Sequence, residues 1–259
     1  MPVHPTAIVS PGARIAETAE IGPYSIIGDE VEIGAGSRLM AHVYMEGPLR
    51  AGEDNLFFPY STVGVVSQDL KYHGERAETR IGNRNKIREF VTIHRGTEGG
   101  GLLTAIGDDN LLMAYTHVAH DVRMGAGTVL ANGVTIAGHV TIGDNATIGA
   151  FTGVHQFCRV GRESFIGGYS VVTQDVMPFA SVTSDREIRV FGANRVGLER
   201  RGFSRDAIES LQTAIRLLTR AGLNTSQAIE RIQTEVQSCK ELEELLQFIA
   251  ASERGVIKG

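Results

Sequence analysis

The sequence predicts a mainly β protein, a parallel solenoid with a short helical tail, and three observations predict it. A bulky aliphatic side chain returns at every sixth position from Ile106 to Val172 without a miss. The same beat runs through Val9, Ile15, Ile21, Ile27, Ile33 and Leu39 and reappears at Ile81, Ile87 and Ile93. After Pro178 it stops, and apolar residues recur at helical spacing instead. A six-residue period is what a β-solenoid produces, because each short strand buries one side chain and then turns a corner. Three such strands close a triangular coil of roughly 18 residues, so residues i and i+18 stand one above the other about 4.8 Å apart. A sandwich of short strands is the rival architecture, but its strands alternate with period two and vary in length.

The coils come first along the chain. Small side chains two places before the aliphatic one, such as Thr104, Thr116, Thr128, Ala146, Thr152 and Ser164, suit a narrow prism in which larger groups cannot pack without strain. Glycine often follows the aliphatic residue, as at Gly22, Gly34, Gly107, Gly149 and Gly161, and is expected to relieve the corners by accepting positive φ. Segments 66–80 (VSQDLKYHGERAETR) and 95–104 (RGTEGGGLLT) are polar, glycine-bearing and off phase. They are expected to protrude as loops, and loops on a rigid scaffold are where binding residues tend to sit. The β-helix is placed at 1–181 and the helical part at 182–259. In that tail, Ser204 is a candidate cap for a helix with the stripe Ile208, Leu211, Ile215 and Leu218, and Gly222 is its stop. Asn224 or Thr225 opens a second helix through Ile229, Ile232 and Val236, and Leu242, Leu245, Leu246 and Ile249 mark a third. These helices are expected to cover the last coil, whose open strand edges otherwise invite aggregation.

A chain of 259 residues with 42% apolar content can bury a sizeable core. Two cysteines, Cys158 at a small inward position and Cys239 in the tail, cannot form a disulfide framework and fit the reduced thiols of a cytoplasmic protein. No signal-length apolar run opens the sequence and no 18-residue apolar segment occurs, so membrane insertion is not expected. A formal charge of −5 gives no general reason to expect nucleic acid. The basic residues are nevertheless clustered, with Arg80, Arg84, Lys86, Arg88 and Arg95 in one segment and Arg200, Arg201 and Arg205 in another.

If the second loop replaces a corner without deleting a strand, Ile93 lies one coil below Val118, and Ile136 and Val154 lie one and two coils above. Five of the eight histidines then share one wall: His94, His117, His120, His139 and His155. The spacing also makes columns, with Gly138 and Gln156 above His120, and His139 and Phe157 above Asp121. Two chemistries use such a wall. Solenoids of the γ-carbonic anhydrase type hold zinc through three histidines, including a pair five residues apart, and no such pair occurs here. General-base catalysis of acyl transfer is the better match. Asp121 follows His120 directly and its carboxylate can orient the imidazole, whose unperturbed pKa of about 6.5 suits proton transfer. The Gly138 N–H, one coil above, can meet a developing oxyanion, a donor worth about 3 kcal/mol of barrier.

The strings QDLKYHGE (68–75), TIHRGT (92–97), HVAHD (117–121), AGHVTIGD (137–144), VHQFCRVG (154–161) and ERRGFS (199–204) resemble, in order and spacing, the UDP-N-acetylglucosamine acyltransferases that open lipid A synthesis in Gram-negative bacteria. The likeness spans essentially the whole chain. It implies a left-handed parallel β-helix, a handedness that runs against the usual crossover preference, and a homotrimer with its active site in the cleft between neighbouring prisms. It implies transfer of a 3-hydroxyacyl chain from acyl carrier protein to the 3-hydroxyl of UDP-N-acetylglucosamine, with no cofactor and no metal. Carried onto this sequence, His120 is the general base, Asp121 its orienting partner and the Gly138 N–H the oxyanion donor. Asp69 and Lys71 contact the sugar and the incoming acyl substrate, and His94, His117, His139, His155 and Gln156 line the groove. Gly168 leaves room for a longer acyl chain, Asn194 meets the uracil, and Arg200 and Arg201 face the phosphates, which favour paired guanidinium donors. The first basic cluster is expected to steer the acidic carrier protein.

Two departures bear on the nucleotide. The segment 184–187 (SDRE) replaces a Gly-Asn-containing turn, and Val196 stands where a carboxylate often assists uracil recognition. A 3-amino sugar nucleotide is therefore the alternative acceptor, and a zinc-dependent solenoid enzyme the alternative chemistry. The related N-acyltransferases carry an additional amino-terminal domain, whereas this sequence opens directly on repeats.

Overall fold

A computed structural model of the chain describes residues 3–184, 188–220 and 222–258. Three sheets of nine, eight and ten strands, parallel but for one strand at the end of the third, wrap a triangular prism, and the coil is left-handed. The first sheet runs from Ile8–Val9 to Val171–Val172, the second from Arg14–Ile15 to Arg159–Val160, and the third carries Glu20–Ile21 through Phe165–Ile166. Strand partners stand one coil apart, as Ile8 with Ile26 and Ile136 with Val154. The register steps over both protrusions: Val63 pairs with Ile93, and Ile93 with Val118. Those partners lie 30 and 25 residues apart, so the protrusions insert 12 and 7 residues without deleting a strand.

The pattern dictates this packing. Ile27, Met45, Val63, Ile93, Val118 and Ile136 stack along the prism axis with no exposed surface, each burial worth roughly 2 kcal/mol. Ser25, Ser37, Asn55, Thr104, Thr116, Ser164 and Ser170 fill the narrow positions between them and are also sealed from solvent. Their hydroxyl and amide groups are satisfied along the coils, as where Ser25 donates to Met40 O and Asn55 to Gly82 O.

The glycines serve a different purpose from the one expected of them. None of Gly22, Gly34, Gly107, Gly149 and Gly161 adopts positive φ. A Cβ on them would instead lie 2.6 Å from Met40 O, 2.5 Å from Gly52 C, 2.7 Å from Gly125 O, 2.4 Å from Gly168 N and 2.3 Å from Pro178 N. They are bare because the next coil's backbone occupies the space. The left-handed conformation falls two residues later in each corner, on side chains such as Tyr24, Tyr60, Asp121, His139 and Phe157. At the corner between the third and first sheets those side chains form an exposed ladder, Tyr24, His42, Tyr60, Phe90 and Tyr115, with ring centroids 4.8 to 5.1 Å apart.

Two further strands precede the helices, in place of the helical pattern expected directly after Pro178. Ala180–Ser184 extends the third sheet in parallel, and Ile188–Ala193 folds back against it. Of the segment 184–187, positions 185–187 lie outside the described residues. A short helix, α1 (Arg195–Arg200), follows, then α2 (Arg205–Arg220), α3 (Thr225–Glu235) and α4 (Lys240–Ala250). The Ser204 hydroxyl accepts the Ala207 N–H, and Asn224 and Gln227 cap α3 reciprocally. Ile208, Leu211, Ile215 and Leu218 are buried. Arg162 clamps the tail to the solenoid through Glu244, and Arg159 through Phe248 O. No described helix is long and apolar enough to cross a membrane.

The first basic cluster disperses when folded. Arg80 sits on the second sheet, Lys86 on the third, and Arg95 follows the first, buried on Glu46 and Gly64 O. Arg84 pairs with Asp109 and Arg88 with Glu89. Five residues close in sequence thus face three directions, because a solenoid turns a corner every six residues.

Candidate active site

The corner that follows the strand His117–Val118 joins the first sheet to the second and brings three sequence-predicted groups together. His120 Nδ1 lies 2.8 Å from Asp121 Oδ2. Asp121 is buried and takes the left-handed corner conformation, which turns its carboxylate back beneath the preceding imidazole. The carboxylate is held from the other side by the second loop: Thr97 N–H donates to Oδ1 at 2.9 Å and the Thr97 hydroxyl to Oδ2 at 2.5 Å. Because the carboxylate only accepts, Nδ1 must donate, and the neutral form of the ring then presents its lone pair at Nε2. Gly138 packs under the ring, where a Cβ would stand 2.5 Å from His120 Cε1 and 2.6 Å from Nε2. Among the described residues no protein acceptor meets the Gly138 N–H, as is also true of the equivalent His120 and Gln156 N–H groups on the coils below and above.

Asp69, from the first loop, places Oδ2 3.9 Å from His120 Nε2. His139 meets the His120 ring edge-on at 5.0 Å and stacks on Phe157 at 4.5 Å. Burial lowers its pKa, against the pull of Asp121. A cleft of about 770 Å³ opens here between the loops, lined by Asp69, Lys71, Glu75, Thr97, His139 and Phe157. Below it, His94 and His117 meet edge-on at 4.8 Å, and His117 Nδ1 is 2.7 Å from Thr92 Oγ1. His94 is 4% exposed, its Nδ1 has no partner among the described residues, and burial beside His117 and His120 lowers its pKa to about 4. Burial and His120 likewise lower that of His117. Both rings are neutral donors or acceptors, not cations. His155 and Gln156 stand higher on the same wall and are exposed.

The remaining predicted residues lie elsewhere in the chain. Arg200, Arg201, Asn194 and Val196 line a second cleft of about 750 Å³ with Thr147 and Phe165 of the third sheet. A corner between the first and second sheets points away from the third, so within one chain these residues and His120 occupy opposite sides of the prism. Asn194 is already engaged: its carboxamide caps α1 through Gly197 N–H and donates to Glu163 O. Arg201 rests 3.1 Å from the buried Glu163 carboxylate, whose pKa burial raises. Arg200 and Val196 are exposed. Gly168 occupies an exposed turn between the third and first sheets, where a Cβ would lie 3.0 Å from Ala150 O.

A roomier groove of about 900 Å³, walled by Arg14, Arg50 and Arg80, carries no histidine, so size alone misdirects. Among the described residues, His120, Asp121 and His139 have potential ligand atoms within 4.8 Å of one another. A cation there would have to displace the His120 and Thr97 hydrogen bonds that already fill Asp121, so the donor set is committed to orienting an imidazole. Sequence reasoning did not single out Thr97 or Gly100. Gly100 is bare because a Cβ would fall 1.9 Å from Asp121 Cγ, a constraint that only the folded loop reveals.

A hexapeptide-repeat solenoid whose corner holds an imidazole, its orienting carboxylate and an unspent amide is a framework for acyl transfer. Residues 104–138 and 139–174 match the bacterial transferase hexapeptide (six repeats) model, and residues 175–257 match the second domain of UDP-N-acetylglucosamine O-acyltransferase. The chain is 46% identical over 256 residues to the acyl-[acyl-carrier-protein]–UDP-N-acetylglucosamine O-acyltransferase of Thermodesulfovibrio yellowstonii, covering 99% of both. It superposes on the UDP-N-acetylglucosamine acyltransferase of Francisella novicida with TM-score 0.96 at 37% identity, covering 99% of this chain and 94% of that one. The acyltransferase of Bacteroides fragilis gives 0.96 at 40% identity, covering 99% and 100%. The chain belongs to the UDP-N-acetylglucosamine O-acyltransferase family.

Proposed function

We propose that this protein moves a 3-hydroxyacyl chain from acyl carrier protein to the 3-hydroxyl of UDP-N-acetylglucosamine, the first step of lipid A biosynthesis, in the cytoplasm. The observation that carries this reading is the meeting of His120, Asp121 and Gly138 at one corner. His120 Nε2 takes the proton of the sugar hydroxyl as its oxygen attacks the thioester carbonyl. The resulting oxyanion accepts the Gly138 N–H. The intermediate collapses by breaking the carbon–sulfur bond, and the imidazolium returns its proton to the departing thiolate. Asp121 stabilises the imidazolium and fixes its tautomer, and Thr97 holds Asp121. Asp69 and Lys71 receive the sugar and acyl groups, and His94, His117, His139, His155, Gln156 and Gly168 shape the groove.

Asn194, Arg200 and Arg201 take the uracil and diphosphate of a nucleotide whose sugar lies against another copy. That assignment requires a homotrimer. The opposite placement of the two half-sites favours it, as do the exposed apolar residues Ile8, Ile26, Tyr44 and Val171 along the first sheet and the aromatic ladder beside it.

Turnover of 3-hydroxyacyl carrier protein with UDP-N-acetylglucosamine, and with its 3-amino counterpart, tests the reading. His120→Ala is expected to lower kcat by roughly 10² or more. Near-normal turnover by that variant removes His120 as the base, and stoichiometric zinc in the active protein would favour metal chemistry at the wall instead.

A further inference from the structure

The carboxy-terminal segment after α4 returns to the solenoid and crosses the column that carries the catalytic corner. Asp175 stands one coil above Phe157, in line with His139 and Asp121, and the tail is tied to it at three points. Ser252 Oγ donates to Asp175 Oδ2 at 2.8 Å, and Asp175 N–H to Gly255 O and Ile257 N–H to Asp175 O, each at 3.0 Å. Val256 and Ile257 are buried. The residue between these ties, Arg254, is held by its backbone while its side chain reaches back along the histidine wall. Its Nη2 lies 3.4 Å from His155 Nδ1 and its Nε 3.4 Å from Thr173 O, and it also hydrogen-bonds the Cys158 thiol.

Among the described residues Arg254 has no carboxylate partner, whereas Arg159 and Arg162 on the same coils are both ion-paired. Its hydrogen bonds to Thr173 O and His155 Nδ1 are long, and His155 Nδ1 has a competing partner in Gln156 O at 3.2 Å. A guanidinium carries five N–H donors, and contacts to Thr173 O, His155 Nδ1 and the Cys158 thiol leave at least two of them for a ligand. His155 stands two coils, about 10 Å, above the level of His120, within the span of a sugar nucleotide or of a carrier protein's phosphodiester-linked thioester arm.

We propose that Arg254 is a further substrate-binding residue, a guanidinium delivered by the carboxy-terminal tail to bind a phosphate oxyanion in the groove above His120. The phosphate belongs either to the acceptor nucleotide or to the donor's prosthetic arm. The inference rests on the acyltransferase reading and adds to it a residue that no spacing rule connects to the wall.

Steady-state kinetics of Arg254→Ala and Arg254→Lys in the full chain, with each substrate varied in turn, test it. A fall of about tenfold in kcat/KM carried by KM is expected for Arg254→Ala, partly restored by lysine, with the melting midpoint unchanged. A rise confined to the nucleotide KM assigns the phosphate to the acceptor, and one confined to the carrier-protein KM assigns it to the donor. Wild-type KM values for both substrates overturn the proposal and leave the acyltransferase reading intact, provided Arg201→Ala raises the nucleotide KM. So does a loss that lysine does not rescue and that tracks a lowered melting midpoint, because that marks a structural tie. Absence of transfer by the unaltered protein overturns that reading and this one with it.

Discussion

A histidine ring sealed from water must stay neutral, and at His94 this links the histidine wall to stability. Burial sets its pKa near 4, while in the unfolded chain it titrates near its ordinary value of about 6.5. Between those pH values the unfolded state binds more protons, so stability is intact above the window and falls as pH drops through it. The expected loss is about 3 kcal/mol on reaching pH 4. Denaturant midpoints measured from pH 7 to 4 check this: His94→Phe should flatten the decline, and an unchanged slope would assign the acid sensitivity to other groups. The same scale explains what a sequence can and cannot say about a residue. His120 beside Asp121, and Gly138 one coil above, follow from arithmetic on 18. The neutrality of His94 does not, because it depends on how deeply the fold buries the ring beside His117.

Loops impose their own chemistry on elements that the repeat alone would leave symmetrical. The second loop supplies Thr97 to both oxygens of Asp121 and lays Gly100 against the same carboxylate. Gly100→Ala puts a Cβ 1.9 Å from Asp121 Cγ, whereas the same change at neighbouring Gly99 meets nothing within 4 Å. Turnover is therefore expected to fall by on the order of 10² in Gly100→Ala, the range set by loss of an oriented base, and to stay near normal in Gly99→Ala. Equal effects would mean that the loop bends as a unit and does not gauge the carboxylate. The strands, their register across both insertions and the three long helices are legible from apolar spacing, because each buries a periodic stripe. The hairpin at Ala180–Ser184 and Ile188–Ala193 and the short helix Arg195–Arg200 are not. They are too short to show a period, and their burial depends on α2 lying across them. The corner glycines mislead for a related reason: sequence registers the missing side chain but not whether φ or the next coil requires it.

At the scale of the whole molecule, the proposed roles of His120 and Arg201 make assembly part of the chemistry. His120 faces the corner of the first and second sheets, and Arg201 the cleft on the third. One substrate can touch both only if neighbouring copies each contribute half of a cleft, in a closed heterologous ring. Two separately impaired variants then become informative together. On the proposed assignment, His120→Ala lacks the base in every cleft it forms with itself, and Arg201→Ala lacks the phosphate donor in every one. When the two are unfolded together and refolded as mixed rings, a cleft is intact wherever an Arg201→Ala copy supplies the base and its His120→Ala neighbour supplies the guanidinium. Random mixing at equal amounts makes that roughly one cleft in four, so activity at nucleotide concentrations well below the KM of Arg201→Ala should rise to about a quarter of the unaltered protein's. Mixing the same variants without unfolding should restore nothing, which separates subunit exchange from simple addition of residual activities. If co-refolded mixtures give only the average of the two parents, base and guanidinium act within a single chain, and the tail and α1 must move across the prism to join them.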